Sequence, residues 1–437
     1  MSICPVTGQT SAGHPETTSS SLDAPLSYPL ERPGPLEPPA EWETLRQECP
    51  VAPITFPSGD PAVLLTRYDD VRQVLSDPRF SRVGEGSAKI TNSETGGVFN
   101  RSTASPLPQT GEGHQQWRRM LSKWFTAKRM AALKPAIAAM ADRLIDDMIK
   151  NGPNQDDSRT DPGNSVDPGD AVDLKAALGF PLPVWVICML LGVPDSDRDR
   201  FSHWSDAFLN LDRFTDDEVA TARQEFHTYL LGHVRSKRAD PGDDVLGTMI
   251  TDARAAGTEL SDEMLVATGL GLLVAGHETT ANMIGKMTAM LLSDRTRWEQ
   301  LVADPSMIRT AVEEVLRMDT NLGFGMPRYL TEEVELSAAA VPANTTVICD
   351  MSAANRDQQI FTDGDTMDLT RSPNPHLTFG AGPHSCLGQM LARTELQTVL
   401  EVMVRRLPSL ELAVPTDQLQ PITGLIVGGL QTVPVRW

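Results

Sequence analysis

Apolar residues recur at helical spacing along most of the chain. The stretch AVLLTRYDDVRQVLSD (62–77) predicts a short strand followed by a helix with Val71, Val74 and Leu75 on one face. From Gln115 to Ile149 a helical stripe passes through Met120, Leu121, Trp124 and Phe125, and residues 173–300 read as several further helices. One of these, 261–292, is unusually long. Ser261 suits an N-cap, Asp262 and Glu263 face the positive end of the dipole, and Leu260 and Leu265 have the spacing of a hydrophobic staple. Beyond Thr331 short β-type runs appear at Glu333–Leu336, Thr345–Ile348, Ile426–Val427 and Val433–Val435. The expected class is mainly α with small β-sheets. Three stretches interrupt the pattern. Residues 1–40, rich in Ser, Thr, Pro and Gly, predict a disordered N-terminal segment. Residues 83–113 predict a long loop, of a length usually functional or mobile, and 151–170 a polar, Pro/Gly-rich surface insertion. That leaves 41–437 as a single domain.

Charge narrows the function classes. With 38 Lys+Arg against 58 Asp+Glu the net charge is −20, which disfavours nucleic acid and anionic membrane as partners. No apolar run approaches the ~18 residues needed to span a bilayer, so no membrane segment is expected. The start, MSICPVTGQTSAGH, lacks a basic n-region and an apolar h-region, so no secretory leader is expected. Cys4, Cys49, Cys188, Cys349 and Cys386 form an odd, widely spaced set without a Cys-x-x-Cys pair. This argues against a disulfide framework, a structural zinc site and an iron–sulfur cluster, and fits a reducing cytoplasm.

Two segments carry candidate chemistry. The middle of the long helix reads Leu272-Leu273-Val274-Ala275-Gly276-His277-Glu278-Thr279-Thr280. A mid-helix Gly costs ~1 kcal/mol relative to Ala and often marks a close approach to the backbone. Glu278 beside Thr279 puts an acid and a hydroxyl in an apolar helix, an arrangement suited to relaying protons. The plainer alternative is that Thr279 bonds back to a helix carbonyl and Glu278 faces solvent. In HLTFGAGPHSCLGQMLARTEL (376–396), Gly380, Gly382 and Pro383 force an irregular turn, and a helical pattern starts just after Cys386. A thiol at a helix N-terminus is favoured as thiolate, the form a soft metal ligand or a nucleophile requires. With no second Cys nearby zinc is poorly served, whereas an axial thiolate to haem iron needs only one. The plainer alternative is a buried structural cysteine.

Phe379-Gly380-x-Gly382-x-His384-x-Cys386-x-Gly388 resembles the haem-binding loop of the cytochromes P450. Other stretches resemble that family's motifs in order: His114-x-x-x-Arg118, Ala275-Gly276-His277-Glu278-Thr279, Glu314-Val-Leu-Arg317, Ala354-Asn355-Arg356-Asp357 and Asp368-x-x-Arg371. The resemblance covers roughly 43–437. Two departures stand out: Thr110-Gly111-Glu112-Gly113 before His114, and the Gly-rich Asn321-Leu-Gly-Phe-Gly-Met-Pro327 before Arg328.

The resemblance implies a cytochrome P450 fold, haem b as cofactor and a monooxygenase reaction. It implies Cys386 as the axial iron ligand, with Phe379, Gly380 and Ala275 against the haem. His114, Arg118, Arg328 and His376 are implied to pair with its propionates. Gly276 would make room for dioxygen, while Thr279 and Glu278 would deliver protons. Glu314, Arg317 and Arg371 would form a buried ion network under the cysteine loop. Leu270, Val274, Phe324 and Ile426 would contact an apolar small-molecule substrate, such as a natural-product intermediate, that is hydroxylated or epoxidised. The haem domain leaves no room for a flavin reductase, so electrons are expected from a ferredoxin or flavodoxin with its NAD(P)H reductase, received by a cytoplasmic monomer. The basic stretch Arg118–Arg129 is the expected docking face. The competing readings are an oxidative-coupling or peroxide-driven enzyme of the same fold, and a non-catalytic haem sensor.

Overall fold

Helices dominate the computed structural model, which describes residues 24–80, 86–90, 107–108, 110–151, 171–208, 214–321, 324–422 and 427–437. The first half holds α1 (Glu41–Glu48), α2 (Tyr68–Ser76), α3 (Gly111–Ser122), α4 (Ala127–Asn151), α5 (Pro181–Leu191), α6 (Arg198–Phe208), α7 (Asp216–Ala239) and α8 (Val245–Ala255). The second half holds α9 (Asp262–Gly276), α10 (Glu278–Leu292), α11 (Arg295–Ala303), α12 (Ile308–Met318), α13 (Met351–Ala354) and α14 (Gln389–Arg406). Five strands form the main sheet: β1 (Leu26–Ser27), β2 (Val51–Thr55), β3 (Pro61–Leu65), then β8 (Thr345–Cys349) and β5 (Met326–Leu330), in the order β1-β2-β3-β8-β5. A second sheet joins β4 (Val172–Asp173), β10 (Pro434–Arg436) and β9 (Glu411–Leu412), and β6 (Val334–Glu335) pairs with β7 (Ala340–Val341).

Local sequence accounts for the helix ends. Ser261 caps α9 by accepting the Met264 N–H, and Thr215 with Glu218 forms a full capping box on α7. The helix α5 is apolar all round, as a central helix must be. It packs with α9, α10 and α4 in the largest apolar cluster.

Four expectations change. The long helix at 261–292 is two helices: the ladder breaks at His277, whose ψ is −72°, and α10 starts anew at Glu278. The helix placed from Gln115 starts earlier, at Gly111, and its run to Ile149 is divided between α3 and α4. Residues 24–40 are not disordered: β1 pairs in parallel with β2, Tyr28 is buried, and Arg32 reaches Asp319 at 3.4 Å. Their few apolar residues are anchored by distant partners that composition does not reveal. Glu278 does not face solvent; it is buried. The insertion at 151–170, apart from Asn151 at the end of α4, lies outside the described residues, as do residues 1–23 and most of the 83–113 loop. Among the described residues no helix is long and apolar enough to cross a membrane.

Candidate functional site

The cysteine loop is built by its own backbone and by neighbours that leave it no slack. Gly380 donates to the Leu377 carbonyl (2.7 Å), Ser385 to Gly382 (3.1 Å) and Cys386 to Phe379 (2.7 Å). Gly380 and Gly382 both have left-handed backbones, with φ of 68° and 67°. A Cβ on Gly382 would lie 2.5 Å from the Ser76 Cα, so the loop rests directly on the end of α2. Gly388 caps α14, and Cys386 stands just ahead of that helix N-terminus with its side chain exposed. The Phe379 ring lies under the Arg393 guanidinium (4.4 Å). The Asn355 carboxamide pins the loop's entry: its Oδ1 accepts the Leu377 N–H (2.6 Å) and its Nδ2 donates to Thr378 Oγ1 (3.0 Å).

Beneath the loop lies the expected ion network. Glu314 and Arg317 are both fully buried, and Arg317 donates to both carboxylate oxygens at 2.8 and 2.7 Å. Arg371 Nε stands 3.2 Å from the same carboxylate, and Asn374 Nδ2 and the Asp368 N–H complete its partners. Arg317 spends its remaining donors on the carbonyls of Asn355, Gly364 and Thr366. Burial alone would raise the Glu314 pKa, but these donors, Arg317 first, hold it below the ordinary value.

One turn apart on α3, His114 and Arg118 face this loop. The His114 ring centroid lies 4.4 Å from that of His384, and the Arg118 guanidinium, lowered in pKa by burial, is electrostatically supported by Cys386. Arg328, on β5, is 2% exposed. Its NH1 donates to the Pro327 carbonyl and its Nε has no hydrogen-bond partner. No carboxylate pairs with it among the described residues. A buried guanidinium left so is strongly destabilising unless an anion meets it. Haem, with its two carboxylates, fits this donor set: an exposed thiol at a helix N-terminus beside His384, with His114 and Arg118 facing it from α3, together with an anion-seeking Arg328 on β5.

The α9–α10 break holds the second candidate group. Gly271 and Ala275 on α9 are exposed and Leu270, Val274 and Thr279 half-buried, and Thr279 is the one residue of α10 that is not buried. The Thr279 hydroxyl donates to the Ala275 carbonyl at 2.7 Å, the back-bonding that bends helices. Glu278 accepts from Asn282 Nδ2 at 2.8 Å on one oxygen, and its other oxygen has no hydrogen-bond partner. His277 is fully buried, with its pKa lowered to about 3 by burial, so it is neutral.

Two expected site residues, His376 and Phe324, stand elsewhere. His376 does not face the loop's open side. Its Nε2 lies 3.1 Å from Glu313 Oε2 and its Nδ1 accepts the Thr378 N–H, so both ring nitrogens are used. The imidazole two residues before Cys386, that of His384, is the one beside His114. Its place between the loop glycines and the cysteine was visible in the sequence, but nothing there showed that α3 would meet it. Gly276 packs toward α5: a Cβ there would lie 2.4 Å from Ile187 Cδ1, the tip of that side chain. Phe324 stacks on Phe56 (5.6 Å) and meets Tyr28 edge-on (5.1 Å), inside the apolar cluster around the main sheet. Ile426 lies outside the described residues.

Comparison with known proteins agrees with this geometry. The cytochrome P450 family model matches residues 180–424. The mycinamicin IV hydroxylase/epoxidase of Micromonospora griseorubida is 36% identical over 94% of this chain and 99% of its own length. The nocardicin C N-oxygenase of Nocardia uniformis subsp. tsuyamanensis is 35% identical over 94% of this chain and 98% of its own. Among solved structures, the LnmA cytochrome P450 hydroxylase from the leinamycin pathway of Streptomyces atroolivaceus superposes with a TM-score of 0.82 at 37% identity, covering 94% of this chain and all of that one.

Proposed function

Because the chain belongs to the cytochrome P450 family, we propose that Cys386 is its proximal ligand and that Glu278 and Thr279 move protons on the opposite side. The protein is a haem-dependent monooxygenase acting on a small molecule with electrons from an external donor. The reading rests on one observation above all: an exposed cysteine held by the Phe379 carbonyl at the head of α14, with the Arg118 guanidinium nearby. Haem bound to that sulfur supplies the oxygen-activating chemistry. Arg118, Arg328, His114 and His384 hold its carboxylates, because charge-assisted donors suit carboxylates and Arg328 otherwise lacks an anion. Phe379 and Gly380 would hold haem from the cysteine loop and Ala275 from α9. Glu314, Arg317 and Arg371 fix the peptide segments from which the loop springs. The Thr279 hydroxyl, anchored on the Ala275 carbonyl, orients a proton that Glu278 replenishes. Leu270 and Val274 give the substrate side an apolar wall, and the relatives' names point to natural products. A largely apolar natural-product intermediate that is hydroxylated or epoxidised fits both.

Thr279→Ala tests the proton reading. The variant is expected to bind haem normally but to send most electrons to hydrogen peroxide, lowering product per NAD(P)H about tenfold or more, in keeping with the ~100-fold range of a positioned proton donor. Product and peroxide are measured against NAD(P)H consumed. An unchanged ratio assigns Thr279 to helix structure alone.

A ferredoxin or flavodoxin, meeting a monomer, completes the reading. Arg119 and Lys128 are exposed, whereas Lys123 is paired with Asp252 at 2.8 Å and Arg129 lies over Trp124 at 4.1 Å. The free charges on this face are therefore Arg119 and Lys128. Their joint reversal, Arg119→Glu with Lys128→Glu, is expected to slow reduction by a ferredoxin about tenfold at low salt and to flatten its ionic-strength dependence, because complementary charge acts mainly on association. Dithionite reduction should change little in the same stopped-flow series. Equal slowing by both reductants would place the damage at the haem, not the docking face.

A further inference from the structure

Asn321 stands where the chain leaves α12, in the stretch that departs from the family pattern. It is buried and its φ is 64°, a left-handed backbone that residues other than glycine seldom adopt. Its Nδ2 donates to the Thr279 carbonyl at 2.5 Å, while its Oδ1 has no partner. A buried amide with one oxygen unsatisfied is retained for the bond it does make.

The backbone around Asn321 is held on both sides. Its N–H donates to Asp319 Oδ1 (2.7 Å), and its carbonyl accepts the Gly428 N–H (2.7 Å). Asp319 is itself fixed by Lys286 Nζ at 2.9 Å, one of the residues of α10, and by Arg32. The segment 319–321 therefore grips α10 twice, at Thr279 in its first turn and at Lys286 two turns later. The next residue of the C-terminal segment, Gly429, backs the other half of the pair: a Cβ there would lie 2.3 Å from Asn282 Oδ1, and Asn282 holds Glu278.

We propose that Asn321 is a positioning residue that sets the first turn of α10 and thereby the direction of the Thr279 hydroxyl, linking Asp319–Asn321 and Gly428–Gly429 to proton delivery. The inference rests on the role given to Thr279. The bond to the Thr279 carbonyl is made by a side chain, so it is lost without altering either helix sequence. Asn321→Gly keeps the left-handed backbone and both main-chain bonds and removes only the amide. Asn321→Asp keeps the shape but turns an acceptor toward the Thr279 carbonyl.

The experiment reads the infrared stretch of carbon monoxide bound to the reduced holoenzyme, which reports on hydrogen-bonding groups beside the gas. Thr279→Ala, Asn321→Gly and Asn321→Asp are compared with the parent, each with its thermal midpoint. Thr279→Ala should shift the band, and Asn321→Gly should shift or split it in the same direction. The double variant should go no further than Thr279→Ala alone. Should Asn321→Gly fail to fold, Asn321→Asp carries the same expectation. A parent-like band in the Asn321 variants, beside a shifted band in Thr279→Ala, overturns the proposal and spares the reading of Thr279. A parent-like band in Thr279→Ala overturns both.

Discussion

Cys386→Ser is expected to remove the red-shifted carbon monoxide difference band of a thiolate-ligated haem almost entirely, leaving at most the spectrum of a haem held by other ligands. The expectation rests on the absence of a substitute among the described cysteines. Cys188 lies buried within α5, and Cys49, buried at the end of α1, is taken up in a disulfide bond, contrary to the expectation that the cysteines stay reduced. Cys349 is buried in β8, where desolvation pushes its thiol up to about 12, so it is protonated at neutral pH. Only Cys386, among the described cysteines, is exposed and placed at a helix N-terminus, the setting that favours the thiolate. The serine isostere keeps the bond from the Cys386 N–H to the Phe379 carbonyl, which is made by the backbone. Haem content and helical circular dichroism should therefore survive. A band of normal intensity would mean that another sulfur holds the iron; joint loss of band and fold would require Cys386→Ala as a second reading of the same site.

The sequence carried the cysteine loop because its chemistry is local. Two glycines with left-handed backbones, an aromatic, and a cysteine at the start of a helical pattern lie within ten residues, so each constraint is visible beside the next. The Glu314–Arg317 pair was legible for the same reason, being one helical turn long. What sequence could not carry were contacts between distant elements. Whether His376 or His384 meets the haem carboxylates depends on how α3 lies across the loop. Glu313 on α12 claims the His376 ring, and nothing near position 376 announces it. Gly276 records in the sequence only that something is close; the structure places Ile187 of α5 there. The family resemblance put Phe324 at the substrate, yet Tyr28 and Phe56, far away in the chain, enclose it. The break at His277 was hidden because the hydrophobic pattern continues through it. Only the hydroxyl of Thr279 and the amide of Asn321 mark the place, one from inside the helix and one from outside.

Glu314→Ala is expected to have the other large effect, on folding rather than on chemistry. Arg317 would remain fully buried with its principal counter-charge gone, and breaking such a pair costs about 3–5 kcal/mol. That is a large fraction of the ~5–15 kcal/mol by which domains are usually stable. Arg371 and Asn374 would lose the same partner, and the Asp368 N–H its acceptor, so the loss is not confined to one bond. Urea titration should show the midpoint fall sharply, with poor haem retention, because these groups tether the segments that lead into the cysteine loop. Glu314→Gln should recover part of the loss, since it keeps acceptor geometry for one Arg317 donor but not the charge. Acid should act on the same region with a definite sign. Glu313 is half-buried, which raises its pKa, but His376 and Arg393 outweigh that and bring it to about 2 from 4.5. A carboxylate with a depressed native pKa stabilises the fold fully above its unfolded value, and that contribution fades as pH falls from about 4.5 toward 2. Stability measured from pH 7 downward should therefore hold until about pH 5 and then decline, and Glu313→Gln should flatten that decline while lowering stability at pH 7. If Glu314→Ala unfolded at the parent's urea concentration, the buried pair would be compensated locally, and the cysteine loop would have to be held by Asn355 and the glycine contacts alone.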